Sequence, residues 1–289
     1  MKAVQARTRI ALKNILFATD FSPAADAAAP FAIQMAKSYG AKVYGLHVDL
    51  FDDYTSAAPE AWAMMAEAQE KQSKEHARLL NEQLAGIHHD VMIGQGNVWE
   101  VISKFIEENK IDLIVLGTRG RTGLGKALLG SVAEQILRQA PCPVLTVGPH
   151  VTLQPENAAK MHEILYATDL AADFPLAAPY AISLAQENQA HLTLLYVMEE
   201  PEGRARMSET KVPKLRNLVP EEAALWCEPH YIVERGIPAE KILEVADQRH
   251  VDLIVLGAQP ARWLATHINA GTVHRVLSEA KCPVLTVHG

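Results

Sequence analysis

The chain has 289 residues, of which 49% are hydrophobic and 21% charged. That composition excludes disordered and fibrous classes and leaves enough chain for one or two domains, each with a sizeable core. Asp plus Glu number 34 against 27 Lys plus Arg, a net charge of −7, so the charge balance argues against nucleic acid and against an anionic membrane as partners.

The elements follow in chain order. Ile15–Ala18 is a short apolar run and predicts a first strand. Ser22-Pro23 has the form of a helix N-cap followed by proline at the first helical position, and the helix it opens stops near Tyr39-Gly40. Lys42–Val48 predicts a second strand, Glu60–Ala85 a long helix rich in Ala, Glu and Gln, and His89–Ile93 a weaker strand. Gly96-Asn97 opens a helix over Val98–Asn109. Asp112–Leu116 is an apolar strand, Ser131–Ala140 a helix and Val144–Val147 a closing strand. Strands alternating with helices imply an α/β domain whose parallel sheet is covered on both faces. Near-continuous apolar strands suit that burial.

The whole pattern then recurs. Ile15–Asp20 returns as Ile164–Asp169, an offset of 149. Asp112–Gly117 returns unchanged as Asp252–Gly257, and Cys142–Val147 as Cys282–Val287, both at an offset of 140. Order and spacing are kept, so the chain is a tandem duplication whose second copy is shorter between Asp169 and Gly236. The period is too long for a solenoid repeat, and each copy can be a domain. The boundary is expected between Gly148 and Lys160, giving domains 1–150 and 151–289. In the second copy Pro201, Pro213, Pro220 and Pro229 are expected to break the long helix into shorter pieces.

The segment that carries chemistry runs from Gly117 to Ser131. Its glycines, at 117, 120, 123, 125 and 130, allow the backbone to bend and approach a ligand closely. Gly130-Ser131-Val132 offers backbone N–H groups and a hydroxyl at a helix N-terminus, which suits an anion, and Arg119, Arg121 and Lys126 add positive charge. A flexible, solvated surface loop is the plain alternative. Gly120 to Lys126 also matches the first part of a Walker A loop, but Ala127 stands where that loop needs the Ser or Thr that holds magnesium.

The spacing Gly117, two residues, Gly120, nine residues, Gly130, Ser131 is the G-2x-G-9x-G-S/T pattern of ATP-binding universal stress proteins. Together with Ile15–Ser22 and the Pro-Cys-Pro-Val-Leu-Thr-Val ending, it makes the first copy resemble that family over its whole length. The second copy resembles it at Ala167-Thr168-Asp169, at Gly257 and at Lys281–Val287. The resemblance implies a Rossmann-like, doubly wound open sheet of five parallel strands in order 3-2-1-4-5 in each copy. It implies ATP, with or without Mg2+, as ligand of the first. Asp20 and the backbone of Val48 would hold the adenosine end, Gly117 and Gly120 would border ribose and phosphates, and Gly130, Ser131 and Val132 would hold the phosphates. Asp20 ends the first strand at the point where strand order reverses, the usual place for a ligand in such sheets; a carboxylate capping a local turn is the plain alternative.

The second copy departs from the pattern. Pro260 replaces the second glycine, Trp263 and His267 are bulky, and Gly271-Thr272 comes one residue late. Asp169, Gly257, Gly271 and Thr272 therefore form a degenerate pseudo-site. Fused copies of this kind are expected to pair about a pseudo-two-fold axis through their closing strands, Val144–Val147 and Val284–Val287, and a homodimer and an unknown protein partner are further expectations.

Other signals weigh less. His88-His89 are adjacent in a strand and point to opposite faces, so no metal site is expected there, and His267 and His274 lack a ligand cluster. Cys142 and Cys282 are expected to be buried, whereas Cys227 could be exposed. Three cysteines make no disulfide framework. No apolar run reaches the ~20 residues that span a bilayer, and the basic N-terminus has no apolar stretch of signal length, so the expected location is the cytoplasm. The functional expectation is a nucleotide-binding stress or regulatory module. A slow ATP hydrolase or phosphotransferase and a nucleotide-free scaffold are the alternatives.

Overall fold

The computed structural model describes residues 10–49, 59–118, 129–151, 161–170, 176–199, 204–225, 227–258 and 269–288. Strand β1 (Asn14–Ala18) buries its three central residues and leads into α1 (Pro23–Tyr39). Ser22 caps α1: its Oγ accepts from the Ala25 N–H at 3.3 Å, and Pro23 takes the position whose N–H the helix does not need. Gly40, at φ 65°, ends the helix in the left-handed conformation that glycine tolerates best. The chain continues through β2 (Lys42–Asp49), α2 (Pro59–Gln83), β3 (His89–Gln95), α3 (Val98–Asn109), β4 (Leu113–Gly117), α4 (Ser131–Gln139) and β5 (Val144–Val147).

The second copy repeats the scheme with β6 (Glu163–Thr168), α5 (Ala177–Asn188), β7 (His191–Met198), α6 (Arg204–Arg216), a 3-10 turn (Glu221–Leu225), β8 (His230–Arg235), α7 (Pro238–Gln248), β9 (Leu253–Ala258), α8 (Asn269–Glu279) and β10 (Val284–His288). Shorter pieces, a 13-residue α6 and a five-residue 3-10 turn, do replace the 25-residue α2, but Pro213 makes no break. Helix α6 runs on through Pro213, and only Pro220 lies between it and the 3-10 turn. One backbone N–H is forfeited at Pro213, but the Asn217 N–H still closes on the Pro213 carbonyl at 3.0 Å, so the last turn survives.

Within each copy every strand pairing is parallel, in the orders β3-β2-β1-β4-β5 and β8-β7-β6-β9-β10, which is 3-2-1-4-5 twice. The repeated aspartate at the head of strand four has a structural task. Asp112 Oδ2 accepts from the Lys13 and Asn14 N–H groups at 2.8 and 3.0 Å, and Asp252 Oδ2 accepts from His162 and Glu163 at 2.6 and 2.9 Å. Each carboxylate ties the entry of its fourth strand to the entry of its first.

The copies meet where the closing strands were expected to meet. β5 and β10 pair antiparallel, with Leu145 opposite Leu285, Val144 opposite Thr286 and Thr146 opposite Val284. Leu145 and Leu285 are equivalent residues, so the two-fold relation between the copies passes through that pair. The pairing closes two open edges and makes one ten-stranded sheet. The Thr146 hydroxyl donates across it to the Val284 carbonyl at 3.1 Å. Both hydrophobic layers run through the junction. One includes Phe17, Leu145, Tyr166 and Leu285 under α1, α2 and α5; the other includes Leu16, Val144, Leu165 and Val284 under α3, α4, α7 and α8. Among the described residues no helix is long and apolar enough to cross a membrane.

Candidate functional site

A four-residue bend joins β1 to α1 and sets one wall of the site. The Phe21 N–H donates to Thr19 Oγ1 at 2.9 Å, and the Ser22 N–H donates to Asp20 Oδ1 at 3.0 Å. Phe21 itself sits at φ 57°, held there by these bonds. Asp20 therefore does cap a local turn, and it also borders a cleft of about 700 Å³ at the carboxyl ends of β1, β2 and β4. That is where strand order reverses, between neighbours β1 and β4.

The cleft collects most of the residues singled out in the first copy. Asp20, Val48, Gly117, Gly130, Ser131 and Val132 all line it, with Met65, Gln69 and Gln72 from α2 and Val98 and Ile102 from α3. Arg119, Gly120, Arg121 and Lys126 lie outside the described residues. The flanks of that interval are fixed: the Thr118 N–H donates to the Val147 carbonyl at 2.9 Å, and the Gly130 N–H donates to the Thr118 carbonyl at 2.8 Å. Thr118 is buried, and its hydroxyl has no hydrogen-bond partner among the described residues.

The two described glycines of the pattern serve different ends. A Cβ on Gly117 would lie 2.5 Å from the Ala24 carbonyl carbon and 2.6 Å from the Ala25 nitrogen. What comes close at Gly117 is the first turn of α1. Gly130 is the N-cap of α4 at φ −64° and ψ 144°, a conformation open to any residue. It adds no side chain at the helix N-terminus, where the first N–H groups have no partner within the helix.

Three side chains that the sequence reading passed over meet beside this cleft, and two of them, His47 and Asp49, line it. His47 and Asp49 alternate along β2 and so share a face, toward α2, which contributes His76. Asp49 Oδ1 lies 2.9 Å from His76 Nδ1 and 3.2 Å from His47 Nε2. Ser73 Oγ donates to Asp49 Oδ2 at 2.6 Å, and His47 Nδ1 lies 2.7 Å from the Thr19 carbonyl. All three are buried, and the Phe21 ring packs 4.8 Å from the His47 ring and 4.9 Å from the His76 ring. A His-x-Asp triplet on a strand was the available signal.

The Universal stress protein family model matches residues 11–148 and again residues 161–288. The chain belongs to the universal stress protein family. A universal stress protein of Methanocaldococcus jannaschii is 36% identical over 140 residues, which is 47% of this chain and 81% of the relative. One from Mycolicibacterium smegmatis is 26% identical over 290 residues, covering 95% of this chain and 96% of its own length. Among solved structures, a universal stress protein from Archaeoglobus fulgidus superposes with a TM-score of 0.72 at 23% identity, covering 95% of this chain and 98% of that one, which is a likeness of fold.

The second universal stress protein copy keeps the bend but not the lining. The Leu170 N–H donates to Thr168 Oγ1 at 3.2 Å with Leu170 at φ 53°, so Asp169 follows the same turn as Asp20. Gly257 lies in β9, where, among the described residues, a Cβ would meet only Ala177 Cβ, at 3.8 Å. Gly271 and Thr272, expected at a helix N-terminus, are the third and fourth residues of α8. Pro260, Trp263 and His267 lie outside the described residues. By strand register Tyr196 replaces His47 and Met198 replaces Asp49.

The cysteines are inert. All three are free and buried, which corrects the expectation that Cys227 could be exposed: it packs in the layer that also holds Leu215 and Ala223. Burial pushes the Cys227 thiol up to about 11, and the Cys142 and Cys282 thiols up to about 12. At neutral pH these thiols are protonated and not nucleophilic.

Proposed function

We propose that the first copy of this universal stress protein binds ATP in the cleft between β1, β2 and β4, and that it acts in the cytoplasm through occupancy of that site as a stress-response or regulatory module. The observation that carries this reading is convergence: Asp20, Val48, Gly117 and the α4 N-terminus at Ser131, separated by up to 111 residues of sequence, border one cleft. The phosphates would lie against the N–H groups of Ser131 and Val132, an ordinary anion site at the start of a nine-residue helix. Glycine at 130 puts no side chain in their path, and the Thr118 hydroxyl, without a hydrogen-bond partner among the described residues, supplies one more polar group. The adenosine end would lie toward Asp20 and the Val48 backbone. About 700 Å³ is ample for a nucleotide. The second copy is proposed as a degenerate site, so that one chain takes one ATP.

Calorimetric titration of the full chain, with and without Mg2+, tests this. Stoichiometry should be near one. Gly130→Val, which puts a β-branched side chain in the phosphate path, should weaken binding at least tenfold, about 1.4 kcal/mol, with the fold retained. Asp20→Ala should remove most of the signal and Asp169→Ala should leave it intact. Unchanged affinity in a folded Gly130→Val chain, or loss only with Asp169→Ala, would reject the assignment.

A further inference from the structure

We propose that His47, Asp49 and His76 form a binding site for a divalent transition cation of the zinc class, present in the first copy only. This goes beyond the nucleotide reading and does not depend on it.

The donor set comes first. Two imidazoles and one carboxylate are a mixed nitrogen–oxygen set that suits Zn2+ better than Mg2+ or Ca2+, which prefer oxygen alone. His47 Nε2, Asp49 Oδ1 and His76 Nδ1 all lie within 4.8 Å of one another, with carboxylate separations of 3.2 and 2.9 Å. A tetrahedral ion with bonds of ~2.0–2.1 Å holds its donors roughly 3.4 Å apart. The two carboxylate-to-imidazole separations are within a few tenths of an ångström of that value, and the two imidazole nitrogens, which lie within 4.8 Å of each other, close by at most about 1.4 Å to receive the ion.

The tautomer of His47 sharpens the point. The Thr19 carbonyl can only accept, so the 2.7 Å contact places a proton on His47 Nδ1. In the neutral ring Nε2 is then a lone pair, and it faces a carboxylate oxygen at 3.2 Å. A cation between the two atoms, a ring proton or a metal ion, relieves their repulsion. A metal ion satisfies Nε2, Asp49 Oδ1 and His76 Nδ1 together.

The surroundings have the form of a metal's outer shell. The second nitrogen of His47 is oriented by a backbone carbonyl, one of the usual ways a ligating histidine is fixed, and Ser73 occupies Asp49 Oδ2 while Oδ1 faces the two rings. The side chains of His47, Asp49 and His76 are only 7%, 9% and 10% exposed, and Phe21 packs against both imidazoles, so water competes weakly. His47 and Asp49 also line the cleft, which provides an entry path and a fourth position open to an exogenous ligand. Three protein ligands with an open fourth position describe an exchangeable site, not a closed structural one. Tyr196 and Met198 remove two of the three ligands from the second copy.

The test is a Zn2+ titration of the full chain, stripped with EDTA and free of nucleotide, against a chromophoric competing chelator. One tight Zn2+ per chain is expected. His47→Ala and His76→Gln should each weaken it at least tenfold, whereas a His88→Ala, His89→Ala double variant should bind as the parent does. X-ray absorption on the zinc-loaded double variant should show two imidazoles in the first shell, and this measurement decides the matter if the site variants fail to fold. Equal zinc affinity in folded His47→Ala and His76→Gln chains, no zinc bound more tightly than by those variants, or a first shell without two imidazoles would overturn the site. In any of those cases the cluster is a histidine–carboxylate hydrogen-bond network.

Discussion

Gly117 and Gly257 are equivalent residues in identical hexapeptides, yet their surroundings differ. The backbone of α1 lies against Gly117, so a methyl group there meets atoms that no side-chain rotation can move. Relief requires α1 to shift, and α1 carries Ser22 and frames the cleft at Ala25. Gly117→Ala is expected to cost about 2 kcal/mol in the range typical of overpacking. Gly257→Ala, whose methyl would make ordinary contact with Ala177, should stay within about 0.5 kcal/mol. Urea unfolding of the two variants side by side checks the difference; equal losses would show that the α1 contact does not decide it.

Helices α3 and α7 occupy equivalent places and begin differently. Asn97 Oδ1 accepts from the Trp99 and Glu100 N–H groups at 3.0 and 3.2 Å. At the matching position Ile237 has the backbone of a cap, φ −75° and ψ 121°, but no side-chain acceptor, and it is 56% exposed. Asn97→Ala should cost about 1 kcal/mol and Ile237→Asn should return stability of similar size, since the conformation it needs already exists. Thermal unfolding of both variants reads the two signs; a destabilised Ile237→Asn chain would refute the argument.

At the level of the whole molecule, the copies share one sheet and two hydrophobic layers, so they should unfold together. Leu285 is 1% exposed and faces Leu145 across the two-fold. Leu285→Asp places a carboxylate in that layer without a partner, a cost on the order of 4 kcal/mol. Calorimetry should show one cooperative transition in the parent chain and an earlier or divided transition in the variant. Unchanged melting would mean that the β5–β10 seam carries little of the stability.

The same seam separates what was legible from what was not. The duplication, the alternation of strands and helices, the Ser22 and Asn97 starts and the Gly40 stop depend on residues within a few positions of one another, and a linear reading finds them. The cleft residues were legible too, because glycine spacing and the Thr-Asp bend are local patterns at strand ends. The survival of α6 through Pro213 was not, because a proline's effect depends on what else holds the last turn. The burial of Cys227 and the backbone pressed against Gly117 likewise depend on how helices dock. His47 and Asp49 share a face by strand alternation alone, but His76 joins them only because α2 lies across β2. Local pattern set the order of strands and helices, the course of α6 apart; the docking of those elements decided which distant side chains meet, because contacts between remote segments follow from packing and not from the local pattern of either one.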